Sequence, residues 1–269
     1  MKNEYESEKK ISDSYFEFQA VMGMTKHMGG VKATEELAES CHIDKNKYVL
    51  DIGCGLGRTA CHLAKKYGCR VIGVDISEKM VEQARKRAEK AGLEDKVEFR
   101  IGDAQNLPFE ESSFNAVIGE SVLAFVEDKP RALNEFIRVT KAEGYIGFNE
   151  CTWIRKPPVR LIQYISDVLG AVFLNPNGWR EIWEKTGLED IIVRTYKVRI
   201  LEQWGNEIRE LDFKEYTGAW YRFLSLLFKS PECRKWARKT LSMPWNIFAL
   251  FKYFGYGIYV GRNQKNRGY

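Results

Sequence analysis

The residues of this chain best suited to chemistry are acids and glycines placed where apolar runs give out. The stretch Val49-Leu50-Asp51-Ile52-Gly53-Cys54-Gly55-Leu56-Gly57 is apolar, then acidic, then carries alternating glycines, with Cys54 inside the glycine loop and Arg58 opening a helix-like pattern. Glycine belongs where backbone turns sharply or a ligand comes close. A glycine-rich strand-to-helix turn offers backbone N–H groups and a helix N-terminus to a nucleotide-like ligand. Asp75 closes a second run, Val71-Ile72-Gly73-Val74, and Asp103 follows Gly102 just after a third, Val97–Ile101. Ligands of open α/β sheets bind outside the carboxyl ends of the strands, so Asp51, Asp75 and Asp103 are expected to line one crevice. There Asp75 can accept hydrogen bonds from both hydroxyls of a ribose. Ile76 and Met80 can sandwich an adenine. Asp103 can accept from the adenine amine, with the Ala104 N–H alongside. Asp alone is a common cap or turn former, and the joint spacing is what argues for a site.

The spacing also discriminates between nucleotides. A dinucleotide turn reads G-x-G-x-x-G, whereas this one reads G-x-G-x-G behind an acid. A pyrophosphate seated there would meet Asp51, and like charges repel. S-adenosylmethionine has a sulfonium, an ammonium and no phosphate, and fits this loop better. Asp51 is expected to act on the ammonium or from behind the layer of residues that touches the ligand.

The elements that must position these residues alternate. Val31–Cys41 reads as a helix, Tyr48–Ile52 as strand one, 57–67 as a helix stopped by Gly68, and Arg70–Val74 as strand two. Ser77 is a candidate N-cap for a helix through Ala91, ended by Gly92. Strand three is Val97–Ile101, with Val97, Phe99 and Ile101 inward. Strand four is Phe114–Ile118, a helix spans 130–140, and strand five is Tyr145–Phe148 after a Glu143-Gly144 turn. Beyond Glu150 come a helix at Val159–Leu169, a turn at Asn175-Pro176-Asn177-Gly178, a helix at Trp179–Thr186, strand six at Ile191–Ile200, a helical stretch over 201–250 and a last strand at Ile258–Val260. Strand–helix alternation of this kind specifies a doubly wound, mostly parallel α/β sheet.

Length and composition suit one soluble domain: 269 residues, 44% apolar and 29% charged. No run is long enough to span a membrane. The N-terminus MKNEYESEKK lacks the apolar core of an export signal, so a cytoplasmic enzyme is expected. The six cysteines contain no C-x-x-C pair. They are read as reduced thiols rather than a zinc or redox site, and no metal is expected; three thiols on a soft metal is the minor alternative. The net charge of +5 hides an asymmetry, because 216–269 hold ten Lys or Arg against one acid, Glu232. That segment is also aromatic. Packing within the domain is its first reading and peripheral contact with a membrane its second, with Met243–Val260 resting beside Arg234, Lys235, Arg238 and Lys239.

These motifs resemble those of the class I S-adenosylmethionine-dependent methyltransferases, in the small-molecule branch that includes quinone and sterol methyltransferases. VLDIGCGLGR is similar to their first motif and VIGVDIS to their second; GDAQNLPFEESSFNAVIGESVLAFVED and RALNEFIRVTKAEGYIGFNE are similar to the later ones. The likeness is specific over about 45–150, and KAEG replaces the KPGG turn of many relatives. It implies a Rossmann-like, seven-stranded sheet of order 3-2-1-4-5-7-6 with strand seven antiparallel. It also implies S-adenosylmethionine as cofactor, with Glu120 and Ser121 facing its methionine end and the methyl acceptor. It further implies an N-terminal segment, 1–46, folding over the core at 47–150, with His27 in the fold-over stretch.

A general base serves phenols and thiols and is dispensable for amines or activated carbons. Candidates are His27, Glu120, Tyr15 and Glu150; His62 and His42 lack supporting context. The insertions 151–177 and 201–250 leave strands five and six at their carboxyl ends and are expected to cap the acceptor pocket. Trp153, Tyr164, Phe173, Trp204, Trp220, Tyr221 and Phe223 would give that pocket an apolar lining. An apolar or amphipathic small acceptor is the first expectation and a small polar amine the rival. A non-catalytic donor-binding module and a nicotinamide oxidoreductase are the readings from other classes. Nucleic acid is disfavoured, because no aromatic-flanked N-P-P-Y-like sequence occurs.

Overall fold

Strand β1 (Tyr48–Ile52) is buried from Val49 onward because it runs through the middle of a seven-stranded sheet. The computed structural model describes residues 28–198, 213–241 and 251–264. Tyr15, His27 and Trp204 lie outside the described residues, as do most of the expected N-terminal lid and parts of the 201–250 insertion. The remaining elements, in chain order, begin with helix α1 (Gly30–Ser40), which precedes β1. After β1 come α2 (Arg58–Tyr67), β2 (Arg70–Asp75), α3 (Glu78–Ala91), β3 (Val97–Ile101), β4 (Phe114–Glu120), α4 (Lys129–Val139) and β5 (Thr140–Trp153). Then follow α5 (Val159–Leu169), α6 (Pro176–Glu184), β6 (Glu189–Lys197), α7 (Phe213–Lys229), α8 (Pro231–Leu241) and β7 (Phe254–Arg262). The sheet order is β3-β2-β1-β4-β5-β7-β6, parallel except for β7, which pairs antiparallel with β5 and β6. Fold and strand order are those the sequence implied.

Alternation along the strands divides two cores. Val49, Val71, Phe99, Ala116 and Ile118 face α1, α2 and α3, packing on Leu37, Leu63 and Val81. Leu50, Ile52, Val74, Val117 and Phe148 face the other way, onto Leu133 and Phe136 of α4 and Trp179 and Trp183 of α6. Both indoles are fully buried, and Trp179 Nε1 donates to the Cys151 carbonyl at 3.3 Å. A third cluster, Ala124, Cys151, Trp153, Leu161, Ile165, Phe173 and Phe254, gathers beyond the carboxyl ends of β4 and β5. On it rest α5 and then α8, with Trp236 against Val168 and the Tyr164 hydroxyl donating to the Thr240 carbonyl at 3.0 Å.

Several expectations are corrected. Strand β5 begins at Thr140 rather than Tyr145. Glu143 takes a left-handed φ of 61°, and the register slips opposite Phe114 and Ala116, so the expected turn is a bulge inside the sheet. Asn263 holds it there: the Glu143 N–H donates to the Asn263 carbonyl, and Asn263 Nδ2 donates to the Thr140 carbonyl at 2.9 Å. β5 also runs on to Trp153, so residues 151–153 belong to the sheet and not to a cap. The Asn175-Pro176-Asn177-Gly178 stretch starts α6, with Asn175 Oδ1 accepting from the Gly178 N–H at 2.8 Å and proline in the first turn. Ile101 is half exposed, because it ends an edge strand at the crevice mouth. Phe254–Val260 is an interior strand, which removes that part of 243–260 from any membrane surface.

All six cysteines are free and buried. No described helix is long and apolar enough to cross a membrane.

Gly73, in β2 beneath the glycine loop, leaves no room for a methyl group. A Cβ there would lie 2.6 Å from Phe99 Cδ1 and 2.9 Å from Cys54 Cβ. Gly73→Ala is therefore expected to cost about 1–3 kcal/mol in chemical denaturation; an unchanged midpoint would contradict this packing.

Candidate functional site

The glycine turn is built by backbone that only glycine adopts cheaply. Gly53, Gly55 and Gly57 have φ of 62°, 50° and 72°. A Cβ on Gly53 would come 2.5 Å from Val122 Cγ2. Gly57 closes the turn by donating to the Cys54 carbonyl at 2.8 Å, and Cys54 N–H donates to the Val74 carbonyl, tying the loop to β2. α2 starts immediately afterwards at Arg58.

Asp75 organises this loop from the next strand. Its Oδ2 accepts from the Gly55 N–H and its Oδ1 from the Ser77 N–H, both at 2.9 Å. Burial raises its pKa, and the two N–H donors pull it part of the way back. Each oxygen keeps a further lone pair for a ligand hydroxyl. Ser77 caps α3 as expected, accepting from the Met80 N–H at 3.4 Å. Ile76 is 74% exposed and open to a flat ligand, whereas Met80 is 4% exposed and packed on Leu56. The structure therefore does not pair these two across an open slot: Met80 shares the buried face of α3 with Val81, Ala84 and Ala88.

Asp51 is 1% exposed. Burial holds its carboxyl well above the usual carboxylate range, and nearby Glu120 and Asp75 push the same way against one backbone N–H, that of Ala60. Its Oδ2 has no hydrogen-bond partner among the described residues. Glu120, at the end of β4, accepts from the hydroxyls of Thr34 (2.9 Å) and Thr59 (2.8 Å) and from Asn149 Nδ2 (3.0 Å). Asn149 Nδ2 also reaches the Met28 carbonyl at 2.8 Å, so the end of the N-terminal segment is tied into this network. Ser121 follows with φ 59°, its N–H donating to the Asn149 carbonyl at 2.7 Å.

Beyond the end of β3, Gly102 N–H donates to the Asp75 carbonyl at 3.0 Å. Asp103 Oδ1 accepts from the Gln105 N–H at 2.8 Å, and Ala104 lies between them, half-buried. The carboxylates of Asp51, Asp75 and Asp103 thus stand at or just beyond the carboxyl ends of β1, β2 and β3, with Glu120 at the end of β4.

Glu150 is a clamp rather than a base. It is fully buried, and its carboxylate accepts from the N–H groups of Val122 (2.9 Å), Leu123 (2.7 Å) and Ala124 (3.4 Å). That turn carries Val122 onto Gly53. His62 pairs with Glu35 at 3.2 Å and His42 lies against the Tyr145 ring, so neither is placed at the crevice. Burial pushes the Cys54 and Cys151 thiols up, the latter to about 12, which disfavours thiolate chemistry. No three described His, Cys, Asp or Glu side chains converge to hold a metal. Of the expected pocket aromatics, Trp153 and Phe173 meet in the third cluster, while Tyr221 is 76% exposed on the outer side of α7. Thr34, Thr59 and Asn149 were not foreseen; the polar pair Asn149-Glu150 ending an apolar strand was the signal available.

Comparison with known proteins places the chain. A family model described as a methyltransferase domain matches residues 43–184. An uncharacterised protein of Haemophilus influenzae is 30% identical over 193 residues, 70% of this chain and 77% of that protein. Norajmaline N-methyltransferase of Rauvolfia serpentina is 43% identical over 95 residues, 35% of this chain and 32% of the enzyme, so the match spans about a third of that relative. Among solved structures, phosphoethanolamine N-methyltransferase 2 of Haemonchus contortus, in complex with S-adenosyl-L-methionine, superposes with a TM-score of 0.67 at 19% identity, over 95% of this chain and 57% of the other. That likeness is one of fold.

The Glu150 clamp makes stability depend on pH. Burial raises its pKa from 4.5 to about 7 against the pull of three N–H donors and of Lys129. Between those values the folded chain holds a proton the unfolded chain has released, so this contribution to stability falls as pH rises. Glu150→Gln keeps an acceptor for Val122 and Leu123 and removes the titration. Its stability relative to the parent is expected to improve by up to about 3 kcal/mol from pH 4.5 to about 7 in denaturation curves. A constant difference would contradict the raised pKa.

Proposed function

The chain belongs to the methyltransferase-domain family as an S-adenosylmethionine-dependent enzyme, and on that premise we propose that it methylates a small acceptor with an apolar or amphipathic body. The observation that carries the donor assignment is the gathering of Asp51, Asp75 and Glu120 around three left-handed glycines. The residues fit the donor. Asp51 has a buried, unpartnered oxygen for which a cation is the natural complement, and Ile76 offers an exposed apolar face. A phosphate-bearing nucleotide would add negative charge where Glu120 and Asp75 already raise the Asp51 pKa.

Bound there, the donor supplies an electrophilic sulfonium methyl group. The protein's own contribution is placement. Asp75 would hold the ribose, Asp103 and the Ala104 N–H the adenine edge, and Asp51 and Glu120 the ammonium end, with Ser121 beside them. Rate then comes from alignment of the acceptor and from exclusion of water. Support for an apolar acceptor body comes from the aromatic character of the carboxyl end of β5, where the buried Trp153, Phe173 and Phe254 rings pack 5.4–6.2 Å apart.

An amine acceptor is the second reading. Neither described histidine stands at the crevice, and an amine can attack without a general base. The N-methyltransferases among the relatives favour the same reading. Tyr15 and His27 remain candidate bases only for an acceptor that must lose a proton first.

Calorimetry with S-adenosylhomocysteine and with NAD separates the donor site from a dinucleotide site. Binding of the first alone is expected; binding of NAD alone would overturn the reading. Asp75→Ala is expected to weaken donor binding about 10- to 100-fold with the circular dichroism spectrum retained. Turnover with labelled donor over hydroquinones and secondary amines then decides the acceptor, and transfer only to the polar amine would remove the apolar-acceptor reading.

A further inference from the structure

Helix α7 carries an apolar face that is exposed. Phe223 points inward to the Val168–Trp236 cluster, while Trp220, Tyr221, Leu224 and Phe228 are exposed, Phe228 at 85% and Tyr221 at 76%. At 3.6 residues per turn these four fall within an arc of about 100°. Burying exposed Trp, Tyr, Leu and Phe is the largest favourable term open to this surface. Exposed cations lie beside it. Lys229 ends α7, and Arg234, Lys235 and Arg238 are exposed on α8. The Arg234 guanidinium bonds the Leu227 and Phe228 carbonyls at 2.9 Å, placing a cation at the Phe228 end of the arc.

We propose that the outer face of α7, flanked by these cations of α7 and α8, is a docking surface for an anionic lipid bilayer. An amphipathic helix with Trp, Tyr and Phe on one side and Lys and Arg beside it lies in the headgroup boundary, its rings at the interface and its cations among acidic headgroups. The charge pattern argues against a second copy of the chain. A second copy would bring the same cation-rich segment, ten Lys or Arg against one acid over 216–269, where an acidic bilayer brings a surplus of negative charge. A nucleic acid would match the charge but not Leu224 and Phe228, which offer phosphates nothing. The site differs from the 243–260 stretch that the sequence first suggested, whose end is a sheet strand. Among the described residues, α7 and α8 pack on α5 through Val168, Trp236 and Phe223 rather than on the residues of the donor crevice.

Co-sedimentation of the full chain with vesicles tests the proposal. Binding is expected to vesicles of phosphatidylcholine and phosphatidylglycerol at about 2:1 and to be largely absent with phosphatidylcholine alone. Lys229→Gln with Lys235→Gln is expected to weaken it about 25-fold, at about five-fold per cation. Leu224→Glu with Phe228→Glu, both at exposed positions, is expected to abolish it while S-adenosylhomocysteine binds as in the parent, which separates this surface from the donor site. Failure to bind the anionic vesicles, or undiminished binding by the Leu224→Glu, Phe228→Glu protein, overturns the proposal. So does a concentration-dependent dimer that this double variant dissociates, which would assign the face to a second copy.

Discussion

A buried carboxyl group whose charged neighbours are acids is the constraint around which this site is arranged. Asp51, the fourth residue of β1, sits out of water, and the acids acting on it are Glu120 and Asp75. A protein interior tolerates such a group by leaving it protonated or by meeting it with a cation. Everything nearby reads as accommodation to that constraint. The glycine turn brings backbone N–H groups close, and Asp75 uses Gly55 to hold that turn. Thr34, Thr59 and Asn149 donate to the Glu120 oxygens.

The same economy of placement links this centre to the segments beside it. Glu150 draws three consecutive N–H groups onto one carboxylate, and the turn so fixed sets Val122 against Gly53. Asn149 is shared between Glu120 and the Met28 carbonyl, so the N-terminal segment is fastened to the site by the residue beside the clamp. Strand β5 thus does two jobs at its carboxyl end. Asn149 serves the ligand crevice, and Glu150 the loop that roofs it. A change that loosens β5 should therefore be felt in both.

Much of this was legible in the sequence because the signals were local. An apolar run, an acid and alternating glycines fix strand, turn and helix within a dozen residues, and the repeat of that pattern at Asp75 and Asp103 fixes the crevice. Seven strands in the order 3-2-1-4-5-7-6 followed from the family resemblance rather than from periodicity. What was missed depended on partners far along the chain. The Glu143 bulge needs Asn263, and Thr34 and Thr59 matter only because Glu120 arrives between them. Glu150 looked like a base from its position and is a clamp because the 122–124 turn folds onto it. Met80 fits an adenine slot by spacing, yet the register of α3 turns it inward. For Tyr221 only the packing of α7 against α8 distinguishes an inner from an outer side.

The account rests on a cation completing the Asp51 site, and proton linkage measures that directly. Burial and the neighbouring acids raise the Asp51 pKa well above the usual carboxylate range, and a ligand ammonium beside it would favour the charged form, so binding should release protons from this group. Titration of S-adenosylhomocysteine near neutral pH in buffers of different ionisation enthalpy counts protons. A net release that disappears in Asp51→Asn is the predicted result. Buffer-independent heats in the parent, or the same release in Asp51→Asn, would contradict it.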